Sequence, residues 1–174
     1  MNLHNHPNAW TSGLAAIGEP LLRSEDPKLL RGDGRYTDDL HLERQAYCVM
    51  VRSRHAHGVI RSIATDTARQ MPGVLAVYTG ADLSSYGLLK SSLPFKSRDG
   101  SDMRRTGRPA LAIDKVRYVG DPVACVIAET IHQAKDAAEA IELAIDPLPV
   151  VTEPAAAVGA GAPQLYDDAP GNLA

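Results

Sequence analysis

Apolar positions in this chain gather into short runs separated by turn-forming residues, and the period of those runs changes along the sequence. Ala46-Tyr47-Cys48-Val49-Met50-Val51 is apolar almost throughout, which predicts a strand covered on both faces. Val59-Ile60-Arg61-Ser62-Ile63 predicts a second strand. Thr65 or Asp66 can cap a short helix that reaches Met71 and stops at Pro72-Gly73, before a third strand over Val74–Tyr78. Lys115–Val119 reads as a strand, Gly120-Asp121-Pro122 as a turn, and Val123–Ala128 as the most continuous strand of all. Thr130 with Gln133 three residues on fits a capping box. The helix it opens carries Ile131, Ala134, Ala138, Ile141 and Ile145 on one stripe. Asp146-Pro147-Leu148-Pro149 stops that helix, because proline cannot continue the ladder, and Val150-Val151 predicts a short last strand.

Two stretches, 46–78 and 115–151, thus read strand–strand–helix–strand, without the residue identities of a sequence repeat. Two such units predict an α+β domain with a mixed sheet and helices packed on it. The rest is punctuation. Residues 1–18 are polar and turn-prone, a flexible N-terminal arm; the domain proper spans 19–153; Ala/Gly/Pro-rich 154–174 reads as an extended connector. Residues 84–110 form a long excursion rich in Ser, Lys and Arg, and a loop of that length in a domain is a functional or interface element.

Composition narrows the function. With 174 residues, 44% of them hydrophobic, the chain can bury one core and is short for two domains. Eighteen Lys+Arg against 21 Asp+Glu, a net charge of −3, argue against nucleic acid as a partner. The apolar runs fall far short of the ~20 residues that span a bilayer, and no basic segment precedes an apolar one at the N-terminus, so no membrane partner and a cytoplasmic location are expected. Two cysteines, Cys48 and Cys125, exclude a disulfide scaffold and are too few for a four-cysteine iron–sulfur site.

Each candidate chemical motif has a plainer structural reading. Gly32-Asp33-Gly34-Arg35-Tyr36-Thr37 starts like a dinucleotide loop, but Thr37 takes the third glycine position and neither strand nor helix frames it, so a tight turn using positive φ fits better. His55-Ala56-His57 could offer two imidazoles, yet nothing demands the further ligands a metal site needs. The pairs Asp38-Asp39 and Asp167-Asp168 sit among turn formers as solvated or interface residues. Both cysteines lie inside apolar strand runs, which predicts buried, inert thiols. Lys90, Lys96, Arg98, Arg104, Arg105 and Arg108 make the excursion basic, with too few aromatics for base stacking.

A series of motifs does carry a resemblance. Ile17-Gly18-Glu19-Pro20, Arg23-Ser24-Glu25-Asp26-Pro27-Lys28-Leu29-Leu30 and Gly32-Asp33-Gly34-Arg35-Tyr36-Thr37-Asp38-Asp39 resemble the opening of the large subunit of molybdenum hydroxylases, the family of xanthine dehydrogenase, aldehyde oxidase and aerobic carbon monoxide dehydrogenase. Val51-Arg52-Ser53 with His55-Ala56-His57 resembles its RSPHAHA segment, with Arg54 where the family has proline. Lys115–Ala124 resembles VRYVGEPVA, Glu142–Pro149 resembles EVDYEPLP, and Asp167–Leu173 matches the segment where the family leaves this domain. The resemblance covers about residues 17–174. It implies the α/β hammerhead fold, the N-terminal module of that subunit, in a family that oxidises carbon centres at molybdenum–pterin and passes electrons to 2Fe-2S clusters and usually to FAD.

The family's catalytic segments lie beyond this domain, so the resemblance assigns this chain no catalytic, cofactor-binding or metal residue, and the end at Ala174 is expected to mark a split gene or a fragment. It implies a structural role: packing against the molybdopterin-binding remainder of the large subunit and the iron–sulfur subunit, with an FAD subunit as a further partner. Arg23, Arg31, Arg35, Tyr36, Asp38, Asp39, Arg104 and Arg105 are the candidate interface residues, since loops rich in Arg and Tyr suit interfaces. The alternative is a free-standing interaction or ligand-binding module that shares the fold without redox function.

Overall fold

The computed structural model describes residues 23–93 and 95–173; the expected arm over 1–18 and the motif at Ile17–Pro20 lie outside the described residues. The chain divides into two units, Met1–Glu43 and Arg44–Ala174.

In the first unit, α1 (Asp26–Leu30) carries Pro27 in its first turn, where its missing N–H costs nothing. Gly32, at φ 73°, closes it. Its amide donates to Leu29 O (3.1 Å) and the Asp33 amide to Lys28 O (2.9 Å), the two bonds that satisfy a helix's last carbonyls. The glycine run thus ends a helix and does not open one. A 3-10 turn at Thr37–Asp39 follows, capped by Asp39 Oδ2 accepting from the Tyr36 amide at 2.8 Å.

The second unit holds β1 (Tyr47–Arg52), β2 (Gly58–Ala64), α2 (Asp66–Arg69), β3 (Val74–Thr79), β4 (Lys115–Val116), β5 (Pro122–Ala128), α3 (Ile131–Glu139), β6 (Glu142–Pro147) and α4 (Pro154–Ala157). The fold is α+β, as expected, but the strands form two sheets, β1-β5-β3 and β4-β2-β6, antiparallel throughout, where one mixed sheet was predicted. Chain length explains part of this. Only residues 65–73 join β2 to β3, fewer than the dozen or so that a parallel crossover needs, so β3 crosses to the other sheet. Each sheet therefore mixes strands from both predicted units.

The core lies between the β1-β5-β3 sheet and α3. Val77, Ala124 and Val126 pack against Ala68, Ala137 and Ile141, and a second cluster of Ala112, Val116 and Val123 continues below. Burying a valine contributes roughly 1.5–3 kcal/mol. Thr130 caps α3 as predicted, accepting from the Gln133 amide at 3.2 Å. Two elements differ from expectation. α3 ends at Glu139, and Glu142–Pro147 is a strand paired with β2 through Ile60↔Ile145 and Ile63↔Leu143. Ile141 and Ile145, four apart, share a face at either the helical or the strand period; the inward Leu143 between them fits only the strand. The strand predicted at Val150-Val151 does not form, and the one predicted over Lys115–Val119 stops at Val116, where the Asp121 carboxylate takes the Arg117 amide (3.0 Å).

Gly58 sits in the middle strand of the β4-β2-β6 sheet, and a Cβ there would meet the Ile145 side chain and the Asp146 carbonyl oxygen, the latter at 2.9 Å. Gly58→Ala should cost about 1–3 kcal/mol, read as a lower midpoint of urea unfolding; an unchanged midpoint would show that β2 and β6 part without cost.

Candidate functional site

The predicted interface residues all stand at the surface. Arg23, Arg31, Arg35, Tyr36, Asp38 and Asp39 are exposed in the first unit, and Arg104 and Arg105 in the second. Arg31 pairs with Asp33 (3.0 Å) at the end of α1, and Asp39 is occupied in its cap. Of the second acidic pair, Asp167 lies 4.0 Å from Lys115 Nζ.

The excursion is a ribbon with two isolated bridges, Leu89↔Arg108 and Lys96↔Asp102, and a 3-10 turn at Ser84–Tyr86. Leu89 and Arg108 exchange backbone bonds of 2.8 and 3.0 Å, and Arg108 Nη1 donates to the Tyr118 hydroxyl (3.3 Å), tying the ribbon to the turn before β5. Partial burial and the nearby Asp121 carboxylate hold the Tyr118 hydroxyl above its ordinary pKa, so it stays protonated. The sequence pointed to the arginines here. The structure adds Tyr86, Leu89, Leu93 and Phe95, each more than half exposed. Their signal lay in the text between Ser84 and Ser97, where serines dilute it.

His55 and His57 diverge. His57 is buried and its ring Nδ1 lies 2.9 Å from Pro149 O, which makes Nδ1 the protonated nitrogen; its Nε2 has no hydrogen-bond partner among the described residues. The Leu148 amide donates to His57 O (3.0 Å), so this histidine pins the end of β6 to the start of β2. Ser53, buried, bridges the His55 amide and carbonyl and shapes the turn after β1. No three His, Cys, Asp or Glu side chains converge among the described residues.

One of the two thiols departs from expectation. Cys125 is buried but Cys48 is exposed, because β1 is a sheet edge whose burial alternates: Tyr47, Val49 and Val51 turn toward α3 while Cys48, Met50 and Arg52 turn outward. The register sets Cys48 opposite Ile127 and Met50 opposite Cys125, so the two thiols are diagonal neighbours on that outer face. Burial, then the neighbouring Cys48, push the Cys125 thiol pKa up.

Residues 154–173 fold back on themselves and are not extended. Asn172 donates to Ala157 O (2.8 Å) and Pro163 O (2.9 Å) and accepts from the Leu165 amide (3.0 Å). Arg117 Nε donates to Leu165 O (2.9 Å) while its guanidinium stacks 5.0 Å from the Tyr166 ring centre, locking this segment to β4. No helix among the described residues is long and apolar enough to cross a membrane.

Comparison with known proteins gives this geometry its family. The profile of the aldehyde oxidase and xanthine dehydrogenase a/b hammerhead domain matches residues 31–149. The nicotine 6-hydroxylase large subunit of Paenarthrobacter nicotinovorans is 36% identical over 158 residues, 90% of this chain and 19% of that protein. The carbon monoxide dehydrogenase large chain of Afipia carboxidovorans is 37% identical, over 89% of this chain and 18% of that one. Among solved structures, quinoline 2-oxidoreductase from Pseudomonas putida 86 superposes with a TM-score of 0.72 at 36% identity, covering 88% of this chain and 18% of that one. The chain spans about a fifth of the length of these relatives. It belongs to the aldehyde oxidase and xanthine dehydrogenase hammerhead family.

The two thiols give a direct check on the sheet's outer face. In the native chain, maleimide should label Cys48 within minutes and leave Cys125 untouched. Because its thiolate is disfavoured, Cys125 should stay unlabelled as the pH rises through the ordinary thiol range, and react only on unfolding. Equal labelling of both at neutral pH would contradict the burial of Cys125 between Met50 and Tyr78.

Proposed function

We propose that this member of the hammerhead family serves as the N-terminal domain of the large subunit of a molybdopterin-dependent hydroxylase or dehydrogenase in the cytoplasm. By itself it is non-catalytic; it packs against the cofactor-binding remainder of that subunit and against the iron–sulfur subunit. One observation carries the reading: the matched relatives are large subunits of oxidising enzymes, and the chain aligns with only about a fifth of each. Residues 154–173 act as the connector to the next domain. The excursion and the Arg23–Asp39 loop supply contacts to neighbouring polypeptides, and an FAD subunit is a further neighbour in the complex.

The described residues do not fit the family's redox groups. Two diagonal thiols stand where an iron–sulfur cluster takes four. No metal-ligating group of three converges among the described residues, and Gly32 closes a helix where a dinucleotide site would open one. In this proposal molybdenum–pterin lies on the remainder of the large subunit, 2Fe-2S and FAD lie on the other subunits, and this chain contributes shape and contact.

The isolated chain, given aldehydes, purines or carbon monoxide with a dye acceptor, should show no turnover. Co-expressed with the molybdopterin-binding remainder of a large subunit of this family, it should co-purify. Leu93→Asp with Phe95→Asp should weaken that association at least tenfold, as losing a buried apolar anchor of about 2 kcal/mol would, with far-UV circular dichroism unchanged. Turnover by the isolated chain, or purification with no such companion, would overturn the reading; the second result is what a free-standing module would give.

A further inference from the structure

We propose that the free edge of β1 receives an extended acidic segment of a partner polypeptide, which adds to the β1-β5-β3 sheet as a fourth strand. The proposal deepens the scaffold reading by naming the edge and the chemistry of one contact.

A groove of about 720 Å³ runs beside β1. Its lining shows how each element meets it. β1 contributes four consecutive residues, Val49 to Arg52. Alternate residues of a strand point to opposite faces, so a consecutive run means that the groove lies along the backbone edge. β6 contributes only Leu143 and Ile145, alternate residues that present a face. α3 contributes Lys135, Ala138 and Glu139, one side of the helix. Among the described residues β1 pairs with β5 alone, so the amide and carbonyl groups of Val49–Arg52 that point away from β5 border this groove. An edge with apolar walls is a template for another strand.

The rim selects the sign of the occupant. Arg52, Arg54 and Lys135 border the groove. None of the three pairs with a carboxylate among the described residues; Arg52 donates instead to Gly120 O (2.9 Å). Glu139 is the one carboxylate in the lining. This local surplus of positive charge stands on a chain whose net charge is −3. It also argues against a second copy: pairing two β1 edges would bring the two cationic rims together. An extended segment alternating apolar and acidic residues satisfies all three features. Its backbone completes the edge, its apolar side chains cover Val51, Ala138 and Leu143, and its carboxylates meet the rim.

Fluorescence anisotropy on the full chain tests this with a labelled octapeptide that alternates valine and glutamate. Saturable binding is expected, weakened by salt, and weakened at least tenfold in the double variant Arg54→Glu, Lys135→Glu. Changing the peptide keeps the test independent of how that variant folds. Alternating valine with lysine should abolish binding, and N-methylation of alternate amides, which removes strand donors at constant charge, should weaken it at least tenfold. No binding of the glutamate peptide would overturn the proposal, as would equal binding of the N-methylated one, which would mean charge attraction without strand addition. Sedimentation velocity supplies the remaining arm: a dimer lost in Val51→Lys would give the edge to a second copy and overturn the proposal. Peptide binding without co-purification would sink the scaffold reading and leave this one standing; the reverse pair of results would do the opposite.

Discussion

The structure depends on β5 keeping a strand on each edge and α3 on one face. Ala124 and Val126 are fully buried against the helix side, and Val123 reaches the second cluster from the other face. Both of its neighbours, β1 and β3, come from the first half of the unit. β2, from that same half, is likewise held between β4 and β6 from the second. Neither half can therefore bury its apolar strands alone, and the pairings that close the core are distant in sequence. Such topologies bear their loop-closure entropy before the contacts that offset it. This interleaving also fixes what is left over: among the described residues β1 ends as an edge, with one side of its backbone unpaired by any strand.

How much could be read in advance follows from the same constraint. Val123–Ala128 was legible because a strand buried on both faces is written as an unbroken apolar run. Ala46–Val51 is written the same way and yet is half exposed, since an apolar run records which side chains are apolar and not whether the domain supplies an element to cover the second face. Ile141 and Ile145 satisfied two periods at once, and only their pairing with β2 chose between them. Cap and turn chemistry was better determined. Thr130 and Gly32 act through bonds to near neighbours, so the residues that specify them lie in one short window, whereas the Gly120–Pro122 turn adds to its local Asp121–Tyr118 bond two bonds to distant Ser53. For the candidate surfaces, charge was visible and geometry was not. Arg104 and Arg105 stood out as residues, whereas the groove rim joins Arg54 to Lys135 across 80 positions of chain.

The distribution of side-chain size supports a domain that completes its burial elsewhere. The fully buried set is built from alanine and valine, with Leu111 its largest member, and α3 meets the sheet through Ala134 and Ala137. Small residues let helix and sheet approach closely, but each removes little apolar surface from water. The larger apolar side chains stand outside: Tyr86 is 84% exposed, Phe95 60% and Leu75 57%. Scattered exposed leucines are ordinary in a soluble protein. Here Tyr86, Leu88, Leu89, Leu93 and Phe95 fall on one ribbon, and Met50 and Tyr78 on one sheet face, which is the arrangement that contiguous docking surfaces take. Covering such a surface removes apolar area from water that an alanine and valine core does not. The packing proposed above would supply that cover without changing the interior, and would account for a small-residue core inside and large anchors outside in one short chain.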